Sequence, residues 1–237
     1  MPGIEKAGVL RVAGEDNLFS HYTDEQGKHG FEYELIKAYA DNQKLKLIYT
    51  IKTNLNDGLE MLLNDQCDVM IGPIPITLEL KKEVDFTDYF LESHLVLIQR
   101  KNSKIRPTQV VRNMIGLGGK KIHTTNNKAQ ITRLHHLSSE ISDTINIRIL
   151  EHSSNERLIS LVASGLINYA VCDYNIAKSF LERYPNIDIE TPVGFNQYQG
   201  WAIKPGKELL LTSLNEFIAN YKKSAEFAEL KAKYGIH

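Results

Sequence analysis

The chain has little of what marks a membrane protein or a nucleic-acid-binding protein. No run of residues approaches the ~20 consecutive apolar residues that span a bilayer. The 28 basic and 29 acidic side chains leave a formal net charge of -1, so no excess of positive charge is available to hold a polyanion. The sequence therefore predicts neither a membrane-spanning helix nor nucleic acid as a partner.

Cysteine and the common catalytic patterns are also scarce. Cys67 and Cys172 are the only two cysteines, and we expect both to be buried free thiols. There is no HExxH, no paired CxxC and no pair of histidines four residues apart, so we expect no metal. There is also no G-x-S-x-G turn and no complete GxGxxG loop. These absences favour a binding protein without a cofactor over an enzyme.

What the chain does have is an alternation of strands and helices. Residues 10–14 form a short apolar strand pattern, and residues 30–43 and 55–63 carry apolar stripes at helical spacing. The second half repeats this order, and Ser153 with Glu156 is predicted to form a capping box at the start of a helix. Such alternation predicts the α/β class, with mostly parallel sheets flanked by helices.

A chain of 237 residues is long enough for two lobes of about 100 residues each. We predict one lobe from residues 1–97 and 200–237 and a second from residues 98–199. The best candidates for the crossing segments are residues 95–101 and 190–200. Short extended connections of this kind suit a hinge, because a few dihedral changes move one lobe against the other.

Three long segments carry patterns that recur together in one family. They are GKHGFEYELIKAYADNQKLKL, DGLEMLLNDQCDVMIGPIPITLELKKEVDFTDYF and LVASGLINYAVCDYNIAKSFLERYP. In this order they resemble the type 2 periplasmic solute-binding proteins, the family that includes the amino-acid receptors of ABC transporters. The resemblance implies a two-lobed fold joined by two hinge strands, a small polar ligand between the lobes, and a monomer.

Two shorter phrases, GFEYELIKAYAD and GLINYAVCDYNIAKSF, are most similar to the solute-binding-like N-terminal domain of F-type membrane-bound lytic transglycosylases. In those proteins a transglycosylase domain follows. Either an ABC permease or a fused transglycosylase domain is therefore an implied partner, and the ligand is either an amino-acid-like solute or short peptide, or a muropeptide that the domain senses.

The same resemblance implies a periplasmic or extracytoplasmic location. The first residues lack the pattern of a signal peptide, and we expect that such a peptide was removed. Some relatives of this fold are prephenate or arogenate dehydratases. They need cationic groups to hold a dicarboxylate, which makes an enzyme the less favoured alternative.

Ligands of open α/β sheets bind beyond the carboxyl ends of the strands. This rule selects residues 14–22, 72–77 and 124–128 and the junction at Asp173. The candidate ligand-binding residues on these loops are Asp16, Asn17, Phe19, Tyr22, Gly72, Pro73, Pro75, Thr77, Thr125, Asn126, Asn127 and Asp173.

Each of these residues also has an ordinary structural explanation. Asp173 is placed either to bind a ligand ammonium or to cap the helix that follows it. Phe19 or Tyr22 is a candidate for an aromatic lid, whereas Asp16 and Asn17 also suit a turn. Asn126 and Asn127 likewise fit a helix N-cap.

One position departs from the pattern of the family. Amino-acid receptors carry an arginine that clamps the ligand carboxylate, and this chain has Leu80 there. A Ser or Thr position of the family is Pro75. Thr77 is left either to cap the next turn or to leave a helix N-terminus open as a weak anion site. The departure favours a modified amino acid, a small peptide or a cell-wall fragment over a standard α-amino acid.

Overall fold

The computed structural model describes residue 4, residues 7–102 and residues 110–236. The chain divides into two compact units, unit 1 with Met1–Glu92 and Tyr198–His237, and unit 2 with Ser93–Gln197. The crossings thus follow Glu92 and Gln197, whereas the sequence placed them after residues 97 and 199.

The elements alternate as the sequence pattern predicts. In chain order the strands are β1 (Val9–Glu15), β2 (Tyr22–Asp24), β3 (Gly27–His29), β4 (Lys46–Lys52), β5 (Val69–Met70), β6 (Asp85–Phe86), β7 (Leu91–Ser93), β8 (Leu95–Arg100), β9 (Lys121–Thr125), β10 (Asn146–Leu150), β11 (Tyr169–Asp173), β12 (Ile187–Pro192), β13 (Gln197–Gln199) and β14 (Ala202–Ile203). The helices are α1 (Phe31–Asn42), α2 (Leu55–Leu63), α3 (Lys128–Glu140), α4 (Asn155–Ser164), α5 (Tyr174–Ser179), α6 (Glu208–Tyr221) and α7 (Ala225–Lys233). There are also two 3-10 turns, Leu80–Lys82 and Met114–Leu117.

Unit 1 is built on a five-stranded sheet of order β4-β1-β5-β14-β6. β4, β1 and β5 are parallel, and β14 runs antiparallel to both of its neighbours. All strands except β14 therefore share one direction. Buried side chains of α1, among them Phe31, Leu35 and Tyr39, belong to the core of this unit.

Unit 2 repeats the plan with the order β10-β9-β11-β8-β12. β10, β9 and β11 are parallel, and β8 is the one antiparallel strand between β11 and β12. A buried apolar cluster that includes Leu97, Ile122, Leu134 and Val171 forms its core. Both sheets are mostly parallel, as the sequence predicted.

The segment of residues 95–101 was expected to cross between the lobes, and this expectation was wrong. It forms β8, which lies inside the sheet of unit 2 and pairs on both sides. A short apolar strand has the same sequence pattern in a sheet interior as in a crossing, so periodicity does not separate the two. The second crossing does fall within the predicted residues 190–200.

The start of α4 differs from the predicted capping box. The N-cap is Ser154, whose Oγ accepts the N–H of Arg157 at 3.2 Å. Ser153 lies one residue outside the helix. Two adjacent serines satisfy the capping pattern almost equally, and the backbone conformation decides between them.

Both cysteines, Cys67 and Cys172, are free and buried, and burial raises the pKa of the Cys67 thiol to about 11. Within the part of the chain that the structure describes, no helix has the length and apolar character to cross a membrane. The same residues contain no cluster of three or more His, Cys, Asp or Glu side chains suited to a metal ion.

Candidate functional site

The parallel strands of unit 1 end at a common edge of the sheet, which we call its carboxyl edge. The last residues of β1 and β4, Glu15 and Lys52, are register partners there. Lys52 Nζ lies 3.2 Å from Glu15 Oε1, and the two side chains are only 2% and 9% exposed. A buried ion pair therefore lies at the end of the sheet where the loop after β1 begins.

The loop that follows β1 is closed by its own polar groups. Asn17 Oδ1 accepts the N–H groups of Phe19 and Ser20 at 3.0 and 2.7 Å. The backbones of Asn17 and His21 hydrogen-bond to each other in both directions. Asp16 is exposed, and its Oδ1 lies 3.1 Å from His21 Nδ1. The turn expected of Asp16 and Asn17 is therefore present.

This loop also holds buried polar atoms without a hydrogen-bond partner. They are Asn17 Nδ2, Ser20 Oγ and His21 Nε2. The His21 ring is held flat against Tyr49, with ring centroids 4.1 Å apart and planes 16° apart. Buried polar groups are nearly always paired in proteins, so these unpaired atoms are an exception at this end of the sheet.

The two aromatic candidates of this loop do not form a lid. Phe19 is 2% exposed and stacks on Phe31 with ring centroids 5.5 Å apart, so it belongs to the core of unit 1. Tyr22 is half-buried on β2, where its ring packs against His29. Sequence alone did not predict the burial of Phe19, because its partner Phe31 follows the hairpin of β2 and β3.

The loop after β5 begins at Gly72, whose φ of +138° is a conformation that favours glycine. Pro73 is half-buried, and Pro75 pairs with Gln199 in an isolated β-bridge. The loop therefore reaches the carboxyl edge of unit 1 through a backbone that a side chain at position 72 would strain.

Thr77 and Leu80 complete this loop. Thr77 Oγ1 accepts the N–H of Leu80 at 3.2 Å, and Leu80 is 1% exposed. The position before the 3-10 turn Leu80–Lys82 is Glu79, which makes no side-chain cap hydrogen bond. A turn of three residues is also too short to supply the helix N-terminus expected as an anion site. Position 80 contributes to the core and offers no carboxylate clamp.

The carboxyl edge of unit 2 collects the remaining candidates, at the ends of β9 and β11. Thr125 is buried, and its carbonyl accepts the N–H of Asn127 at 2.7 Å. Asn127 caps α3 by accepting the N–H of Gln130 at 3.1 Å, and Asn126 between them is half-buried. Asn127 thus occupies the cap position that the sequence suggested, and Asn126 lies one residue before it.

Asp173 caps α5. Its Oδ1 accepts the N–H groups of Asn175 and Ile176 at 2.8 and 3.4 Å, and the residue is 5% exposed. The carboxylate is therefore held in one orientation at the end of β11.

His94 lies beside Asp173, because the next residue, Leu95, is the register partner of Asp173. The His94 ring stacks on Tyr174 with centroids 5.1 Å apart and planes 16° apart. Burial lowers the pKa of His94, and a hydrogen bond with Asn196 opposes that shift. Sequence reasoning missed this histidine, since only the pairing of β8 with β11 brings it to the site.

Unpartnered polar atoms gather at this edge as well. They are Ser93 Oγ, Ser153 Oγ and Asn175 Nδ2. Ser93 ends β7 just before β8, Ser153 follows β10, and Asn175 lies in the first turn of α5 after β11. Each unit thus has, at its own carboxyl edge, a charged group held by hydrogen bonds and several buried polar atoms without a partner.

The carboxyl ends of the strands are the place where open α/β sheets bind their ligands. A family model for the bacterial extracellular solute-binding proteins, family 3, matches residues 10–237. The chain belongs to this family. The match begins within β1 and includes both units.

Among curated proteins, this family 3 chain is similar to two membrane-bound lytic murein transglycosylases F. The protein of Pseudomonas putida (strain W619) is 27% identical over 241 residues, which are 99% of this chain and 47% of that protein. The protein of Desulfosudis oleivorans is 28% identical over 236 residues, 98% of this chain and 49% of that protein. The chain thus spans about half the length of these relatives.

Solved structures confirm the two-lobed type 2 solute-binding fold. An ancestral arginine-binding protein bound to glutamine has a TM-score of 0.82 at 22% identity, covering 96% of this chain and 97% of that one. The holo form of the arginine-binding protein of T. maritima has a TM-score of 0.79 at 24% identity, covering 99% of both chains. At these identities the likeness concerns the fold.

Proposed function

We propose that this family 3 chain is a solute-binding protein and not an enzyme. It captures a small polar ligand, an amino-acid-like compound or a short peptide, with the carboxyl-edge loops of both units, and the units close on the ligand about the two crossings. It serves transport or sensing outside the cytoplasm. The observation that carries this proposal is the set of buried, unpartnered polar atoms at both carboxyl edges.

Asp173 is the proposed anchor for the ligand. A carboxylate that is already oriented by two backbone N–H groups is positioned to accept a charge-assisted bond from a ligand ammonium without further ordering. Asn127, Ser153 and Asn175 lie at the same carboxyl edge and supply neutral polar groups there.

The ligand carboxylate, if one is present, meets no arginine on the candidate loops. Leu80 is buried, and the segments 14–22, 72–77 and 124–128 contain no arginine. Lys128 is the one lysine of these segments, and it lacks the bidentate fork of an arginine. The absence of that fork favours a modified amino acid or a short peptide.

Thermal unfolding against a panel of amino acids, short peptides and muropeptide fragments tests the proposal. A ligand at 100 times its Kd stabilises the folded state by about 2.7 kcal/mol, which raises Tm by roughly 5–11 °C in a protein of this size. The shift should disappear in Asp173→Ala. If the well-folded protein shows no shift with any compound, the chain is a docking module without a solute.

A second candidate function follows from the length of the relatives. The chain covers about half of proteins named as murein transglycosylases, so we propose as an alternative that it is the muropeptide-sensing domain of such an enzyme, with a fused transglycosylase domain as its partner. A shift with muropeptide fragments alone favours this alternative. A shift with free amino acids favours a transport receptor, with an ABC permease as its partner.

A further inference from the structure

The buried ion pair of Glu15 and Lys52 is placed where the proposed ligand meets unit 1. Both residues end their strands at the carboxyl edge, and β1 is followed directly by the loop with the unpartnered atoms of Asn17 and His21. The backbone carbonyl of Glu15 also accepts a hydrogen bond from Tyr49 Oη at 3.0 Å. The pair is therefore held at the base of this loop.

The fold makes room for this lysine. A Cβ atom at Gly58 of α2 would lie 2.2 Å from Lys52 Cδ and 2.8 Å from Met70 Cε. A larger residue at this point of the helix would therefore displace the Lys52 chain or Met70 from its present position. The position of the ammonium is thus fixed by packing as well as by Glu15.

The pair is neutral as a whole, and its two charges compensate each other. A buried ion that loses its partner carries a large desolvation penalty. A ligand cation near this pair would attract Glu15 but repel Lys52, and a ligand anion would do the opposite. Either charge therefore weakens a contact that the free protein already makes.

We propose that the Glu15–Lys52 pair is a specificity determinant, an inference that rests on the proposed function. It makes the site select ligands whose end toward unit 1 is polar but uncharged. The polar atoms of Asn17, Ser20 and His21 in the adjacent loop have no hydrogen-bond partner. They are suited to hydrogen-bond with an uncharged polar end of the ligand.

Isothermal titration calorimetry with two isosteric pairs tests this selectivity, L-glutamine with L-glutamate and L-citrulline with L-arginine. The wild-type protein should bind the neutral member of each pair at least about tenfold more tightly, a difference of about 1.4 kcal/mol. Lys52→Met leaves the Glu15 carboxylate without its ammonium, and it should shift the arginine-to-citrulline preference at least about tenfold toward arginine. Glu15→Gln should shift the other pair toward glutamate.

Two controls separate charge from shape and from folding. The double variant Glu15→Gln with Lys52→Met removes both charges while it keeps the core neutral, and it should lose most of the wild-type preference for the neutral member of each pair. Lys204→Met removes the lysine of a second ion pair of unit 1, with Asp65, at the opposite edge of the sheet, and should leave both preferences unchanged. Circular dichroism shows whether each variant is folded. If a single variant is unfolded, the comparison of the wild-type protein with the double variant decides the case.

The outcomes distinguish this inference from the function on which it rests. Equal binding of neutral and charged members by the wild-type protein overturns the specificity role and leaves the binding function standing, as does an unchanged preference in folded Lys52→Met. Failure of every folded protein to bind any of the four compounds overturns the amino-acid-like binding function and the inference with it.

Discussion

Asp173 carries a structural and a proposed functional role with one carboxylate. It accepts two N–H groups at the start of α5, and the same group is the proposed partner of a ligand ammonium. Asparagine and aspartate cap helices almost equally well, whereas alanine does not. The two roles are therefore separable by choosing the substitution.

Asp173→Asn should keep the stability of the fold within about 0.5 kcal/mol, and Asp173→Ala should cost about 1 kcal/mol. Both should weaken a cationic ligand about tenfold or more, because both remove the charge. Urea denaturation measures the first effect and calorimetry the second. Wild-type affinity in Asp173→Asn would assign this residue to capping alone.

His94 makes stability depend on pH. Burial lowers its pKa in the folded state, so the unfolded state binds more protons as the pH falls below about 6.5, and stability is lost in that range. Stability from this group is complete above pH 6.5 and decreases toward the lower folded pKa.

His94→Phe keeps an aromatic ring against Tyr174 and removes the titration. The difference in Tm between pH 7.5 and 5.5 should therefore be smaller in this variant than in the wild-type protein. His135→Phe on the exposed side of α3 is the matched control. If the two variants show the same pH dependence, His94 does not contribute to it.

At the scale of elements, the turn after β5 places two leucines in opposite environments, one buried and one exposed. Leu80 is 1% exposed and Leu78, two residues earlier, is 78% exposed. Leu80→Ala should destabilise the protein by about 2–4 kcal/mol through the cavity it leaves, and Leu78→Ala by no more than about 0.5 kcal/mol. Chemical denaturation measures both, and equal losses would show that position 80 is not a core position.

The whole molecule consists of one continuous and one discontinuous unit. Unit 2 contains all strands of its own sheet, β8 to β12, and its own apolar cluster. Unit 1 needs β14, α6 and α7 from the end of the chain to complete its sheet and helices. Unit 2 is therefore formed by one continuous stretch of the chain, whereas unit 1 needs two separate stretches.

A fragment of residues 93–197 should fold alone and unfold cooperatively, because its contacts are internal to the fragment. A fragment of residues 1–92 should show no cooperative transition, since it lacks the strand between β5 and β6. Circular dichroism during heating measures both. A gradual melt of the first fragment would show that unit 2 needs unit 1 to fold.

Much of this protein follows from local patterns in its sequence. Period 3.6 and period 2 identify the helices and strands, and their alternation identifies the α/β class. The rule for strand ends selects loops that the structure does place at carboxyl edges, including those at Asn17, Asn127 and Asp173. The missing arginine at position 80 is also visible in the sequence alone.

Tertiary structure alone decided which side chains meet. The register of β1 with β4 joins Glu15 to Lys52, and the pairing of β8 with β11 places His94 beside Asp173. Packing places Phe19 in the core against Phe31. Periodicity along a chain determines which face of an element is apolar, whereas contacts between elements distant in sequence depend on how the sheets assemble.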